Sequence, residues 1–199
     1  MDAGKQRMRE PEPLAPHGVR TPAPWKLFAI PIVVVTLLIG GILAVQQRFG
    51  ASPSSLLGGP GKGTTAATFT APSLNGPRFS LAAERGHPVV LFFMAASCTS
   101  CLLESNALGQ IQHKYGSNVR IALIDIGKGD SSSALHAFVQ RSAGPSRFWI
   151  LDSDGKLAST YGVQTLDTTY VVDKGGRIVY STKLPVGFGE LDRAVRQVV

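Results

Sequence analysis

From Phe28 to Val45 the chain reads FAIPIVVVTLLIGGILAV, an apolar run without a single charge. As a helix rising about 1.5 Å per residue it covers roughly 27 Å, close to the hydrocarbon thickness of a bilayer. Trp25 and Lys26 stand at one end and Gln46, Gln47 and Arg48 at the other, residue types that prefer the interface. Pro31 and hydrophobicity on every side suit lipid better than the one-sided core of a soluble helix. A cleaved signal peptide is the competing reading, but the run exceeds the usual apolar region of such a peptide and no small-x-small site follows directly. The pattern predicts a transmembrane anchor at residues 25–48. Before it, residues 1–24 are Pro-rich and read as a disordered tail; after it, residues 49–66 are rich in Gly, Ser and Pro and read as a flexible linker.

From residue 67 the pattern changes to short alternating segments. TFTAPSLNGPRFSL, 68–81, has a turn signal at Asn75-Gly76 between two extended pieces and predicts a hairpin. PVVLFFM, 88–94, is continuously apolar, the mark of a central strand buried on both faces. A helix is predicted from Cys98 to Tyr115, with Leu103, Ala107, Leu108 and Ile111 as its apolar positions and Gly116 as its stop. A strand at 120–126, a helix at 131–141 and a strand at 147–152 continue a β-α-β order. An Asp154-Gly155 turn and a short polar stretch to Tyr161-Gly162 come next. Strands at 168–173 and 177–182 flank Lys174-Gly175-Gly176 as a hairpin, and a C-terminal helix from 189 to 199 puts Leu191, Val195 and Val198 on one face.

Composition, 44% hydrophobic and 17% charged over 199 residues, excludes a wholly disordered chain. The formal charge of +7 narrows on division: residues 1–66 hold seven basic and three acidic residues, a net of +4, leaving +3 for residues 67–199. In that second part the basic residues are scattered singly without interleaved aromatics, which argues against nucleic acid as a partner. The basic residues preceding the anchor, Lys5, Arg7, Arg9, Arg20 and Lys26, outnumber Arg48 behind it, so the N-terminus is expected in the cytoplasm and the folded part outside.

Two cysteines, Cys98 and Cys101, are too few for a disulfide framework, which makes chemistry their better explanation. A strand running into a helix that carries C-x-x-C in its first turn places the first sulfur where helix amides and the macrodipole stabilise an anion. Cys98 is then the exposed attacking thiolate and Cys101, deeper and one turn on, resolves the mixed disulfide. Zinc is disfavoured, because there is no second cysteine pair and His17, His87, His113 and His136 show no ligand spacing. An inert structural disulfide closing so short a loop stabilises little. Cu(I) held by the two thiolates, with Met94 close in sequence, is the main rival chemistry.

The stretches FTAPSLNGPRFSLAAERGHPVVLFFMAASCTSCLLES, DSDGKLASTYGV and TTYVVDKGGRIVY resemble the extracytoplasmic TlpA/ResA-like thioredoxins, which share a domain with peroxiredoxins. The resemblance covers residues 67–199. It implies that C-x-x-C is a redox site and that Glu104, matching a glutamate three residues after the second cysteine, assists proton transfer. Glu104 and Cys101 would be i, i+3 neighbours on the helix. Two departures stand out. Ser97 replaces the usual Trp before the first cysteine, and Thr99 and Ser100 lie between the cysteines where Pro is common, so the partner-binding surface formed by Ser97, Thr99 and Ser100 is altered. The family also places a cis-proline before the Thr-Thr pair facing the cysteines, whereas here Asp167 precedes Thr168 and Thr169. A non-proline cis bond costs about 2.5–4 kcal/mol, so a trans Leu166-Asp167 bond and a reshaped loop are expected. A carboxylate near Cys98 would oppose the thiolate and make it a poorer leaving group, whereas in a relaxed loop it would only face solvent.

The expectation is therefore an α/β thioredoxin fold, a central mixed sheet flanked by helices, behind an N-terminal transmembrane helix. Its function would be thiol-disulfide exchange with an exported protein, recharged by a membrane electron donor or acceptor and needing no cofactor beyond the Cys98/Cys101 pair. Cys98, Cys101, Glu104 and Asp167 would carry the reaction, with Ser97, Thr99, Ser100 and Thr168 bordering the substrate. A non-catalytic binding module and a Cu(I)-delivery protein are the alternatives. A peroxidase is disfavoured by Ala95, Ala96 and Ser97, which replace the Thr/Pro pattern preceding a peroxidatic cysteine.

Overall fold

The computed structural model describes residues 59–199, except 75 and 143–146. The anchor expected at 25–48, the tail before it and most of the linker lie outside the described residues. Among the described residues no helix is long and apolar enough to cross a membrane.

A five-stranded sheet forms the centre. Its strands are β3 (Val89–Met94), β4 (Arg120–Asp125), β5 (Phe148–Leu151), β6 (Thr168–Val172) and β7 (Ile178–Thr182), in the spatial order β5-β4-β3-β6-β7. β3, β4 and β5 run parallel, β6 is antiparallel to β3 and β7 to β6, so the sheet is mixed. β3 lies in the middle because both its faces are apolar: Val90, Phe92 and Met94 point into one core cluster and Val89, Leu91 and Phe93 into the other. The first cluster is covered by α1 (Thr99–Tyr115), α2 (Ser132–Arg141) and α4 (Phe188–Val195), through Leu108, Ile111, Leu135, Phe138, Leu191 and Val195. The second is covered by the short hairpin β1 (Thr70–Ala71) and β2 (Phe79–Ser80) and by α3 (Lys156–Thr160) with the Tyr161 that follows it. This is a thioredoxin-like α/β fold.

Three expectations change. The polar stretch after Asp154-Gly155 forms α3: Asp152 accepts from the amides of Leu157 (3.0 Å) and Ala158 (2.8 Å), capping a helix too short to show periodicity. The folded part begins before residue 67. Thr65 bridges Arg177, the Gly63 amide donates to the Ile178 carbonyl at 2.7 Å, and Ala66 is 2% exposed, so the end of the expected linker is laid along the sheet edge. Leu103, expected on the apolar face of α1, is 68% exposed, while Glu104 beside it is buried.

Candidate functional site

β3 ends at Met94 and the chain turns through Ala95, Ala96 and Ser97 into α1. Cys98 is the N-cap of α1, its backbone extended and its sulfur accepting from the Cys101 amide at 3.1 Å. A free helix N–H therefore points at Cys98 Sγ, the arrangement that stabilises a thiolate there. Cys98 and Cys101 form a disulfide with their Cα atoms 5.2 Å apart. Cys98 is half-buried between exposed Ser97 and Thr99, and Cys101 is 0% exposed. The spacing thus places one sulfur at the surface and one beneath it.

The loop before β6 brings Asp167 to the sulfurs across a large sequence separation. Its φ of 55° lies in the left-handed region, which costs a non-glycine residue about a kcal/mol or more, and its peptide bond is trans. Asp167 is 6% exposed, so it faces inward, not solvent. Its Oδ2 accepts from Ser100 Oγ at 2.7 Å and lies 3.9 Å from Cys98 Sγ; Ser100 Oγ is itself 3.3 Å from that sulfur. Oδ1 is buried and accepts no hydrogen bond among the described residues. Both sulfurs and a carboxylate oxygen of Asp167 lie within 4.8 Å of one another.

Glu104, one turn after Cys101 on α1, is 1% exposed. Its Oε1 accepts from Thr169 Oγ1 at 2.6 Å and its Oε2 from the Val186 amide at 3.1 Å. Burial pushes its carboxyl up to about 7; the two hydrogen bonds pull it down, and the charges of Asp167 and Glu190 add to the rise. Thr168, buried, donates to the Thr165 carbonyl at 2.7 Å and stiffens the loop carrying Asp167.

Four neighbours, Asp130, Arg141, Asp125 and Val186, escaped the sequence reading. The Ala96 amide donates to Asp130 Oδ2 at 2.9 Å and the Ala96 carbonyl accepts from Arg141 Nη2 at 3.2 Å, fixing the turn that delivers Cys98. Asp125, buried at the end of β4, accepts from the Gly127 amide at 2.9 Å; burial, with neighbouring Asp130 adding to it, raises its carboxyl to about 6. Val186 escaped notice because it acts through its amide, which no side-chain pattern reveals. An acid closing the apolar run 121–124 was a legible sign for Asp125.

Comparison with known proteins agrees with this geometry. The AhpC/TSA family model matches residues 62–181, more than half of the chain. The thiol-disulfide oxidoreductase ResA of Bacillus subtilis is 28% identical over 118 residues, covering 59% of this chain and 65% of ResA, so the chain spans just under two thirds of that relative. The chloroplastic peroxiredoxin Q of Triticum aestivum is 30% identical over 173 residues, 82% of this chain and 71% of that protein. Among solved structures, MTB dsbF, captured in mixed oxidized and reduced forms, superposes with a TM-score of 0.60 at 23% identity, covering 75% of this chain and 100% of dsbF. With its central mixed sheet, its C-x-x-C at a helix start and its family match over most of the folded part, the chain belongs to the AhpC/TSA family, and it is similar to the thioredoxin-like ResA proteins.

Proposed function

We propose that this chain is a thiol-disulfide oxidoreductase, anchored by residues 25–48 with its folded part outside the cytoplasm, that exchanges disulfides with an exported protein. The observation that carries the reading is the Cys98–Cys101 disulfide at the start of α1, one sulfur half-exposed and one buried. The charge asymmetry around the anchor supports the topology, and the name of the Bacillus subtilis relative supports the activity.

In the reducing direction the Cys98 thiolate attacks a disulfide of the partner, forming a mixed disulfide and expelling one partner thiolate. Cys101 then loses its proton and attacks Cys98 Sγ, which releases the second partner thiol and leaves the Cys98–Cys101 disulfide. Two electrons have passed to the partner, and a membrane-side donor returns them. The Cys101 proton needs an acceptor in a buried place, and Glu104, with its carboxyl near 7, fits that role at neutral pH. Asp167 beside Cys98 disfavours a second negative charge there, which holds the pair toward the disulfide and slows Cys98 as a leaving group. Ser97, Thr99 and Ser100 shape the partner contact, whereas Thr168, expected to border the substrate, is buried and holds the loop behind it.

The deciding experiment is Cys101→Ser in the full chain expressed in cells. The expected result is a partner held covalently on Cys98 and lost with Cys98→Ser; no adduct under oxidising or reducing growth overturns the reading. Peroxiredoxin Q among the relatives motivates one control. Rapid consumption of hydrogen peroxide by the reduced protein, without turnover on protein disulfides, would make it a peroxidase instead.

A further inference from the structure

We propose that the reduced protein holds a zinc-class divalent cation on Cys98, Cys101 and Asp167. Sequence spacing argues against zinc because there is no second cysteine pair and the histidines show no ligand spacing. The fold supplies a further ligand from 66 positions beyond Cys101: both sulfurs and a carboxylate oxygen of Asp167 lie within 4.8 Å of one another. Around one zinc ion, bonds of about 2.3 Å to sulfur and 2.0–2.2 Å to oxygen put the donors about 3.5–4 Å apart. Small rotations of side chains already gathered there close that difference once the sulfurs are no longer bonded to each other.

The second observation is the state of Asp167 itself. It is 6% exposed and held in a left-handed backbone conformation, its Oδ2 takes one hydrogen bond from Ser100, and its Oδ1 is buried with no donor among the described residues. A buried carboxylate oxygen left without a partner is costly, and a cation supplies what is missing. Reduction sharpens the need: two thiolates and a carboxylate would bring three negative charges into a site where Cys101 and Asp167 are out of water. Either protons or a cation must neutralise them. The binding step is an exchange without redox change, in which the two thiols give up their protons as two metal–sulfur bonds form. Exposed Ser97 and Thr99 leave an approach to Cys98 from solvent, and three protein ligands leave a coordination position open.

Asp167 also selects the ion. Cu(I) is satisfied by two soft thiolates and gains little from a carboxylate, whereas zinc accepts sulfur and oxygen together. A bound cation would occupy both sulfurs and keep the dithiol out of exchange until removed, so the site would act on the reaction proposed above through the same reduced pair.

The test uses the full chain in detergent, reduced, freed of reductant under anaerobic conditions and titrated with Co²⁺, Zn²⁺ and Cu(I). One equivalent of Co²⁺ should give thiolate charge-transfer absorption and the visible bands of tetrahedral cobalt, bleached by Zn²⁺, with none in the disulfide form. Asp167→Asn should weaken Zn²⁺ at least about tenfold while leaving Cu(I) affinity within about twofold. Equal Zn²⁺ affinity in variant and wild type, or uptake that survives oxidation, overturns the site. Should Asp167→Asn fail to fold, X-ray absorption of the wild-type zinc form decides: two sulfur and further oxygen ligands support the site, and four sulfurs shared between two copies overturn it. Disulfide exchange measured on the metal-free protein separates the readings, since activity there stands or falls without the cation.

Discussion

Two carboxyl groups lie out of water near the same pair of sulfurs, and they are held in opposite ways. Glu104 sits on a rigid helix with both oxygens answered, one by the Thr169 hydroxyl and one by the Val186 amide. Asp167 sits on a loop with one oxygen answered by Ser100 and the other by no donor among the described residues. The difference is functional. A carboxyl whose surroundings serve the neutral form is a proton store: when protonated on Oε1, Glu104 donates to Thr169 Oγ1 and still accepts the Val186 amide through Oε2. A carboxylate with an unanswered oxygen lacks compensation for its charge, which favours a cation and repels a second anion.

The largest effect is expected at Glu104. Its carboxyl is raised from 4.5 to about 7 in the fold, so between those values the unfolded chain releases a proton that the folded chain keeps. The stability it contributes is whole below pH 4.5 and is lost as pH rises through about 7, a decline of about 3 kcal/mol. Tyr180 and Glu190 also face it. Glu104→Gln copies the neutral form with both hydrogen bonds. In urea denaturation of the oxidised protein it should match wild type at pH 4 and exceed it by about 2–3 kcal/mol at pH 8. The same variant should exchange disulfides about 100-fold more slowly and lose an inflection near pH 7. Stability without a pH trend would remove Glu104 as a proton carrier.

Asp167→Asn comes next, since it removes charge while keeping shape. Cys98 of the reduced, metal-free variant should react with iodoacetamide at neutral pH about tenfold faster than wild type, the effect of relieving one nearby negative charge. An unchanged rate would mean the carboxylate does not act on the sulfur. A smaller effect is expected from Thr169→Val, which deletes the hydrogen bond that pulls the Glu104 carboxyl down; its inflection should move upward by less than about one pH unit. Ser100→Ala is the mildest. It costs Asp167 its one donor, should lower stability by about 1 kcal/mol, and should alter Cys98 alkylation by less than about threefold.

Much of the fold was readable because its signals are local. The apolar VVLFFM run announces a strand buried on both faces, and the C-terminal pattern sends Leu191 and Val195 into the core. Leu103 and Glu104 mark the limit. Hydropathy puts the leucine inside and the glutamate outside, and the fold does the reverse, because Thr169 and the Val186 amide compensate the buried acid. The helix α3 was hidden for a different reason: five residues carry too little periodicity, and the carboxylate that takes its first amides, Asp152, precedes it by several positions.

What the chain determined by itself is whatever depends on neighbours along it: strand and helix periods, the spacing that puts two sulfurs one turn apart, and the charge bias around an apolar run. What only the tertiary structure decided is how ionisable groups behave near those sulfurs. Burial and long-range partners set the proton affinity of Glu104 and aim Asp167 at Cys98, and these depend on which distant segments pack together. Electrostatic energies in a dry interior change with ångström distances and lost water, quantities that residue order alone does not encode.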